Sequence, residues 1–167
     1  MTNLRLVKYD VSTAYNGIKS FDCGNAMINS FVHKSLKKRV QKHLSQAYVL
    51  LDSENNERFV GFYTLDTFSI TRASFETDNR PAGLPPMIPV VKLSMLGVDR
   101  QFQGKGIGKR LIRDVFLKSV KISELAGCAG VYLLAEKDAV TFYSSLGFVK
   151  IADAEPLPMF LAIELLL

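Results

Sequence analysis

The chain has 167 residues, 48% of them hydrophobic, with a net charge of +5 and a pI near 9.2. That length buries one proper core, so a single domain over residues 1–167 is expected, and the positive balance favours an anionic partner over a cationic one. No apolar run approaches the ~20 residues that a membrane span needs. Met1-Thr2-Asn3-Leu4-Arg5 is no signal peptide, and Cys23 and Cys128 lack metal-like spacing to His33 or His43, so a cytoplasmic protein with free structural thiols and no metal is expected.

Leu4 to Tyr9 alternates apolar and polar residues, the pattern of a half-buried strand. Phe21-Asp22-Cys23-Gly24-Asn25 is a turn with several candidate N-caps, ahead of a helix expected from Ala26 to about Lys42. That helix carries Met27, Ile28, Phe31, Leu36 and Val40 near helical spacing, together with His33, Lys34, Lys37, Lys38, Arg39, Lys42 and His43. No acidic residue lies between Asp22 and Asp52, so pairing along the helix does not account for the basic run. Lys34, Lys37, Lys38, Arg39 and Lys42 are therefore candidates for nucleic-acid contact.

Gln46 to Leu51 and Arg58 to Ile70 read as two strands of a hairpin around the polar turn Asp52 to Glu57. Thr71 to Pro89 holds four prolines and reads as a surface loop, and Val90 to Val98 as the central strand. A long amphipathic helix follows, with Ile107, Leu111, Val115 and Ile122 on one face, stopped by Gly127 to Gly130. Val131 to Ala135 is continuously apolar, as in a strand covered on both faces. Asp138 is expected to cap a short helix from Ala139 to Leu146, ended by Gly147. Phe148 to Ile151 and Met159 to Leu167 complete the sheet.

The stretch from Leu93 to Ile112 combines a buried strand, a glycine-rich turn and the start of the long helix. Glycines at 104, 106 and 108 suit a backbone that turns sharply and brings its N–H groups close to a ligand. Those groups open a helix and are unpaired donors at its positive dipole end, with Lys105, Lys109 and Arg110 adding charge of the same sign. The product is a cradle for a phosphate or pyrophosphate. Neither the P-loop pattern nor G-x-G-x-x-G fits the register, but Q/R-x-x-G-x-G/A does, with Gln103, Gly106 and Gly108 on its defining positions.

On that motif, and on the order β-α-β-β-loop-β-α-β-α-β-β, the chain resembles the GNAT N-acetyltransferases. The resemblance implies an α/β (α+β) GNAT fold: a mixed, mostly antiparallel sheet, splayed at its central strands and flanked by helices. It also implies acetyl-CoA as co-substrate. Backbone groups of Leu96, Gly97 and Val98 would bind the pantetheine, and the turn Gln103, Gly104, Lys105, Gly106, Ile107, Gly108, Lys109 the pyrophosphate. Tyr143, just ahead of Gly147-Phe148, matches the family's position for a proton donor to the leaving thiolate. A phenol with pKa near ~10 is protonated at neutral pH.

Val90 to Val98 carries no carboxylate to serve as a general base. A lysine amine, with pKa ~10.4, is almost fully charged at pH 7, whereas an α-amine near ~7.7–8.0 is partly neutral. A site without a strong base therefore suits an α-amine. Phe21-Asp22-Cys23-Gly24, Ile28-Asn29-Ser30-Phe31, Leu84-Pro85-Pro86-Met87-Ile88-Pro89 and Thr141-Phe142-Tyr143 are similar to the GNAT toxins of type II toxin–antitoxin modules, the TacT/AtaT-like group. Many members carry Arg where this chain has Met95. The resemblance implies acetylation of aminoacyl-tRNA, blocked translation, a ribbon-helix-helix antitoxin and a homodimer. Acetylation of a small amine or protein N-terminus, and a catalytically silent acyl-CoA-binding module, are the alternatives.

Overall fold

A computed structural model of the chain describes residues 3–78 and 80–167. Met1 and Thr2, part of the N-terminus read above, and Asn79 in the proline-bearing stretch lie outside the described residues. The strands are β1 (Leu4–Lys8), β2 (Gln46–Asp52), β3 (Arg58–Thr71), β4 (Met87–Val98), β5 (Gly130–Ala135), β6 (Val149–Lys150) and β7 (Leu157–Ala162). The helices are α1 (Ala26–Lys34), α2 (Leu36–Gln41), α3 (Ile107–Leu125) and α4 (Val140–Ser145). They form a mixed α/β fold whose seven-stranded sheet runs β1-β2-β3-β4-β5-β7-β6. The β1/β2, β2/β3, β5/β7 and β6/β7 pairs are antiparallel. By contrast β4 and β5 are parallel and in register only at Val91↔Val131 and Lys92↔Tyr132. The central strand thus runs on through Leu93–Val98 without a β5 partner, as a splayed sheet requires.

The chain packs as two compact units, Met1–Asp66 with Met95–Asp114, and Thr67–Ser94 with Val115–Leu167. In the first, Val32, Leu36 and Val40 from α1 and α2 join Phe21, Ala47, Val49, Phe59 and Phe62 in one core. The basic segment is not the single helix its periodicity suggests. Ser35, at φ −122° and ψ −30°, ends α1 and begins α2. Val32 before the break and Leu36 and Val40 after it all reach the same core. Asn25 is the N-cap that the turn offered, its side chain accepting from Ile28 N at 3.1 Å. Asn25→Ala is expected to lower stability by about 1 kcal/mol, read as a lower denaturant midpoint with unchanged slope.

In the second unit Ile70, Phe75, Ile88, Val90, Ile151 and Phe160 form the core. Several boundaries differ from the pattern reading. The loop ends sooner than expected, because β4 already begins at Met87. Asp138 makes no side-chain cap; it lies within a short 3-10 turn, Lys137–Ala139, that leads into α4. Leu134 of β5 is 43% exposed, so that strand is not covered on both faces despite its apolar run. The last strand stops at Ala162, and Ile163–Leu166 coil into a 3-10 turn.

Candidate active site

The glycine turn is built from the end of β4. Asp99 is buried, and its carboxylate accepts from Gln101 N at 3.0 Å, capping the 3-10 turn Arg100–Phe102. Its own amide donates to Val60 O at 2.9 Å, which fixes the turn to β3. Phe102 is buried below, with the Lys105 ammonium 5.4 Å from its ring centroid. Gly104 and Gly106 both stand at φ +77°, left-handed backbone that any other residue resists. A Cβ at either would meet nothing within 4 Å. These glycines therefore serve backbone direction, not packing.

Arg110 is the first residue of α3 whose amide bonds back, to Gly106 O at 3.2 Å. Ahead of it, the amides from Gly104 to Lys109 have no acceptor among the described residues. Gly104, Lys105, Gly106 and Lys109 are exposed, whereas Ile107 is buried and Gly108 half-buried. A fan of unpaired N–H groups at a helix mouth, with Lys105 and Lys109 in solvent beside it, fits a diphosphate by charge and by hydrogen bonding.

Gln103 differs from the other motif residues. Its side-chain amide donates to Cys23 O and Val98 O, both at 2.8 Å, and its backbone amide reaches Arg100 O at 3.4 Å. Upstream, Leu96 and Val98 are half-buried and Gly97 is buried. A Cβ on Gly97 would lie 3.1–3.3 Å from Ile28, Phe21 and Phe62, so a side chain there would press on all three and make them give way. Met95 N donates to Thr64 Oγ1 at 3.1 Å, and its side chain packs on the aromatic core.

Asp22, Gly24 and Asn29 interlock: Asp22 accepts from Gly24 N at 2.9 Å and Asn29 Nδ2 at 2.8 Å, and Asn29 accepts from Cys23 N at 2.9 Å. These bonds, with Arg100 3.5 Å away, hold the Asp22 carboxyl below its usual range. Periodicity alone missed this lock and the Asp99 cap, although the Asp-x-Gly spacing was a visible turn signal. It also missed Tyr63, whose buried phenol donates to Asp114 at 2.6 Å. Burial and that carboxylate push the Tyr63 pKa far up.

Tyr143 is on α4 in the second unit, its ring edge-on to Phe142 at 5.2 Å and to Phe148 at 5.7 Å. Burial pushes its pKa up to about 12, so the proton stays on the oxygen at neutral pH. Nothing among the described residues hydrogen-bonds that hydroxyl. Both cysteine thiols are free and raised by burial, which suits inert packing groups.

Of the basic residues, Lys34, Lys37, Lys38 and Lys42 are exposed. Arg39 is committed elsewhere: Nε donates to Ser45 Oγ at 2.9 Å, and the guanidinium lies 3.7 Å from Asp66. Among the described residues no group of His, Cys, Asp and Glu is arranged to hold a metal, and no helix is long and apolar enough to cross a membrane.

Residues 44–150 match the family model of the acetyltransferase (GNAT) domain. A tRNA-acetylating toxin of Mycobacterium tuberculosis is 28% identical over 148 residues, 88% of this chain and 86% of that protein. A bacterial toxin of known crystal structure superposes with a TM-score of 0.95 at 34% identity, covering 99% of this chain and 94% of its own. AtaT complexed with acetyl-methionyl-tRNAfMet gives a TM-score of 0.87 at 28% identity, covering 98% and 99%. A mutant AtaT bound to the C-terminus of the antitoxin AtaR and acetyl-CoA gives 0.83 at 25%, covering 98% and 96%. The chain is thus similar to acetyltransferase toxins along nearly all its length, and it belongs to the GNAT family of N-acetyltransferases.

Proposed function

We propose that this enzyme transfers the acetyl group of acetyl-CoA to the α-amine of an aminoacyl-tRNA, and that it is a type II toxin blocking translation. The observation that carries the reading is the run of unpaired amides from Gly104 to Lys109, which suits the CoA diphosphate. The exposed Lys34, Lys37, Lys38 and Lys42 support an RNA acceptor, as does the likeness to AtaT complexed with acetyl-methionyl-tRNAfMet. A ribbon-helix-helix antitoxin and a homodimer belong to the same proposal, consistent with an antitoxin bound to AtaT.

The neutral amine attacks the thioester carbonyl; the C–N bond forms, the C–S bond breaks, nitrogen sheds a proton and sulfur ends with one. With no carboxylate on β4, the amine arrives neutral by virtue of its own pKa, ~7.7–8.0 for an α-amine and lower when the adjoining carboxyl is esterified. Tyr143 serves the leaving sulfur. Full transfer from a phenol at about 12 to a thiolate whose acid has pKa ~8.5 runs uphill by about 5 kcal/mol. The phenol therefore acts first as a hydrogen-bond donor to the developing thiolate. Proton transfer is completed as the nitrogen gives up its own.

Incubation with acetyl-CoA and charged tRNA is expected to yield acetylated aminoacyl ends. CoA binding without transfer to any charged tRNA overturns the reading. Replacing Lys37, Lys38 and Lys42 by Glu is expected to raise KM for tRNA by about tenfold or more and flatten its salt dependence by about one slope unit per lost phosphate contact. CoA affinity stays unchanged. A loss of CoA affinity in this variant would remove α2 from the RNA-binding role.

A further inference from the structure

Within the second unit, segments of three strands bring together Phe68 (β3), Lys92 (β4) and Tyr132 (β5). The Phe68 and Tyr132 rings stack in parallel, 5.7 Å between centroids and 10° between planes, and the Lys92 ammonium lies 4.8 Å from the Phe68 centroid. Elsewhere in this unit Phe75 and Phe160 meet edge-on at 80°, fully within the core. Phe68 differs: the residue remains 41% exposed. Lys92 is half-buried, yet no carboxylate or other acceptor among the described residues pairs with it. A partly desolvated ammonium without an anion is costly, and a phosphate would offset that cost. Beside the stack lies a groove of about 420 Å³ that includes Thr67, Ser69 and Cys128 in its walls.

A partly exposed aromatic ring beside a cation that no anion neutralises is how proteins hold single-stranded nucleic acid, by stacking a base and neutralising its phosphate. We propose that Phe68, backed by Tyr132 and flanked by Lys92, is a stacking platform for an unpaired nucleobase at the single-stranded 3′ end of the acceptor RNA. This rests on the RNA-substrate reading above. It adds a nucleotide site on the sheet, separate in sequence from the lysines of α1 and α2.

The test uses an RNA oligonucleotide ending in CCA with 2-aminopurine in place of the terminal adenine, since that fluorophore is quenched by stacking. The unmodified enzyme is expected to quench it severalfold. Phe68→Ala should abolish the quenching, Phe68→Trp should retain it, and Lys92→Gln should weaken binding and lower the salt slope by about one. In acetyl transfer, Phe68→Ala is expected to raise KM for charged tRNA by about 5- to 150-fold, with kcat and CoA affinity unchanged. Acetylation of charged tRNA without quenching by the unmodified enzyme overturns the platform and leaves the substrate reading standing. Quenching lost in Phe68→Ala without acetylation supports the platform and overturns the substrate reading. Quenching that survives Phe68→Ala overturns the platform on its own.

Discussion

Tyr143→Phe is expected to lower kcat by about 10²- to 10³-fold and to leave the affinity for CoA unchanged, within the range for loss of one general-acid group. The substitution removes a single oxygen that hydrogen-bonds no described residue, and the ring keeps its contacts with Phe142 and Phe148. Folding stability is therefore expected to stay close to that of the unmodified protein. The pH dependence gives a second check. Because burial raises this phenol to about 12, its proton-bearing form persists well above neutrality, and activity should not fall between pH 7 and 10. The rise at low pH should instead track deprotonation of the acceptor amine, near or below ~7.7. An activity loss centred near pH 9, or a Tyr143→Phe enzyme with full kcat, would remove Tyr143 from the chemistry.

Gly106→Val is expected to raise the CoA dissociation constant by about 10- to 100-fold, as loss of one or two hydrogen bonds to a charged group implies. At φ +77° a β-branched residue is strained whatever the surrounding space. A Cβ there meets nothing within 4 Å, so the variant relaxes its backbone instead of colliding, and the amides of the helix mouth turn away from their common focus. Calorimetric titration with CoA measures the loss, and thermal unfolding without ligand should shift by only a few degrees. Wild-type affinity in Gly106→Val would show that these amides do not hold the diphosphate.

What the sequence disclosed follows a physical pattern. The cradle was legible because left-handed backbone demands glycine and a helix start leaves amides unpaired, both local rules. Strands β2, β3 and β4 were legible from apolar runs between turns. The break at Ser35 was not, since Val32, Leu36 and Val40 keep a helical spacing straight across it. The engagement of Arg39 by Ser45 and Asp66 is tertiary, and composition counts that residue as one more surface cation. Phe68, Lys92 and Tyr132 are dozens of residues apart and meet only because β3, β4 and β5 are neighbours in the sheet. No pattern along the chain announces them. Asp138 shows the reverse: a local capping rule was available, and the chain used a 3-10 turn instead.

The side chain of Gln103 gives the first letter of Q/R-x-x-G-x-G/A a structural task. One nitrogen with two hydrogens spans the carbonyls of Cys23 and Val98, stitching the approach to α1 onto the tip of β4. A guanidinium offers the same pair of prongs, while glutamate, nearly identical in outline, would set oxygen against two oxygens. That position is thus a tie-rod for the scaffold, and it is the amides downstream that are left without an acceptor among the described residues.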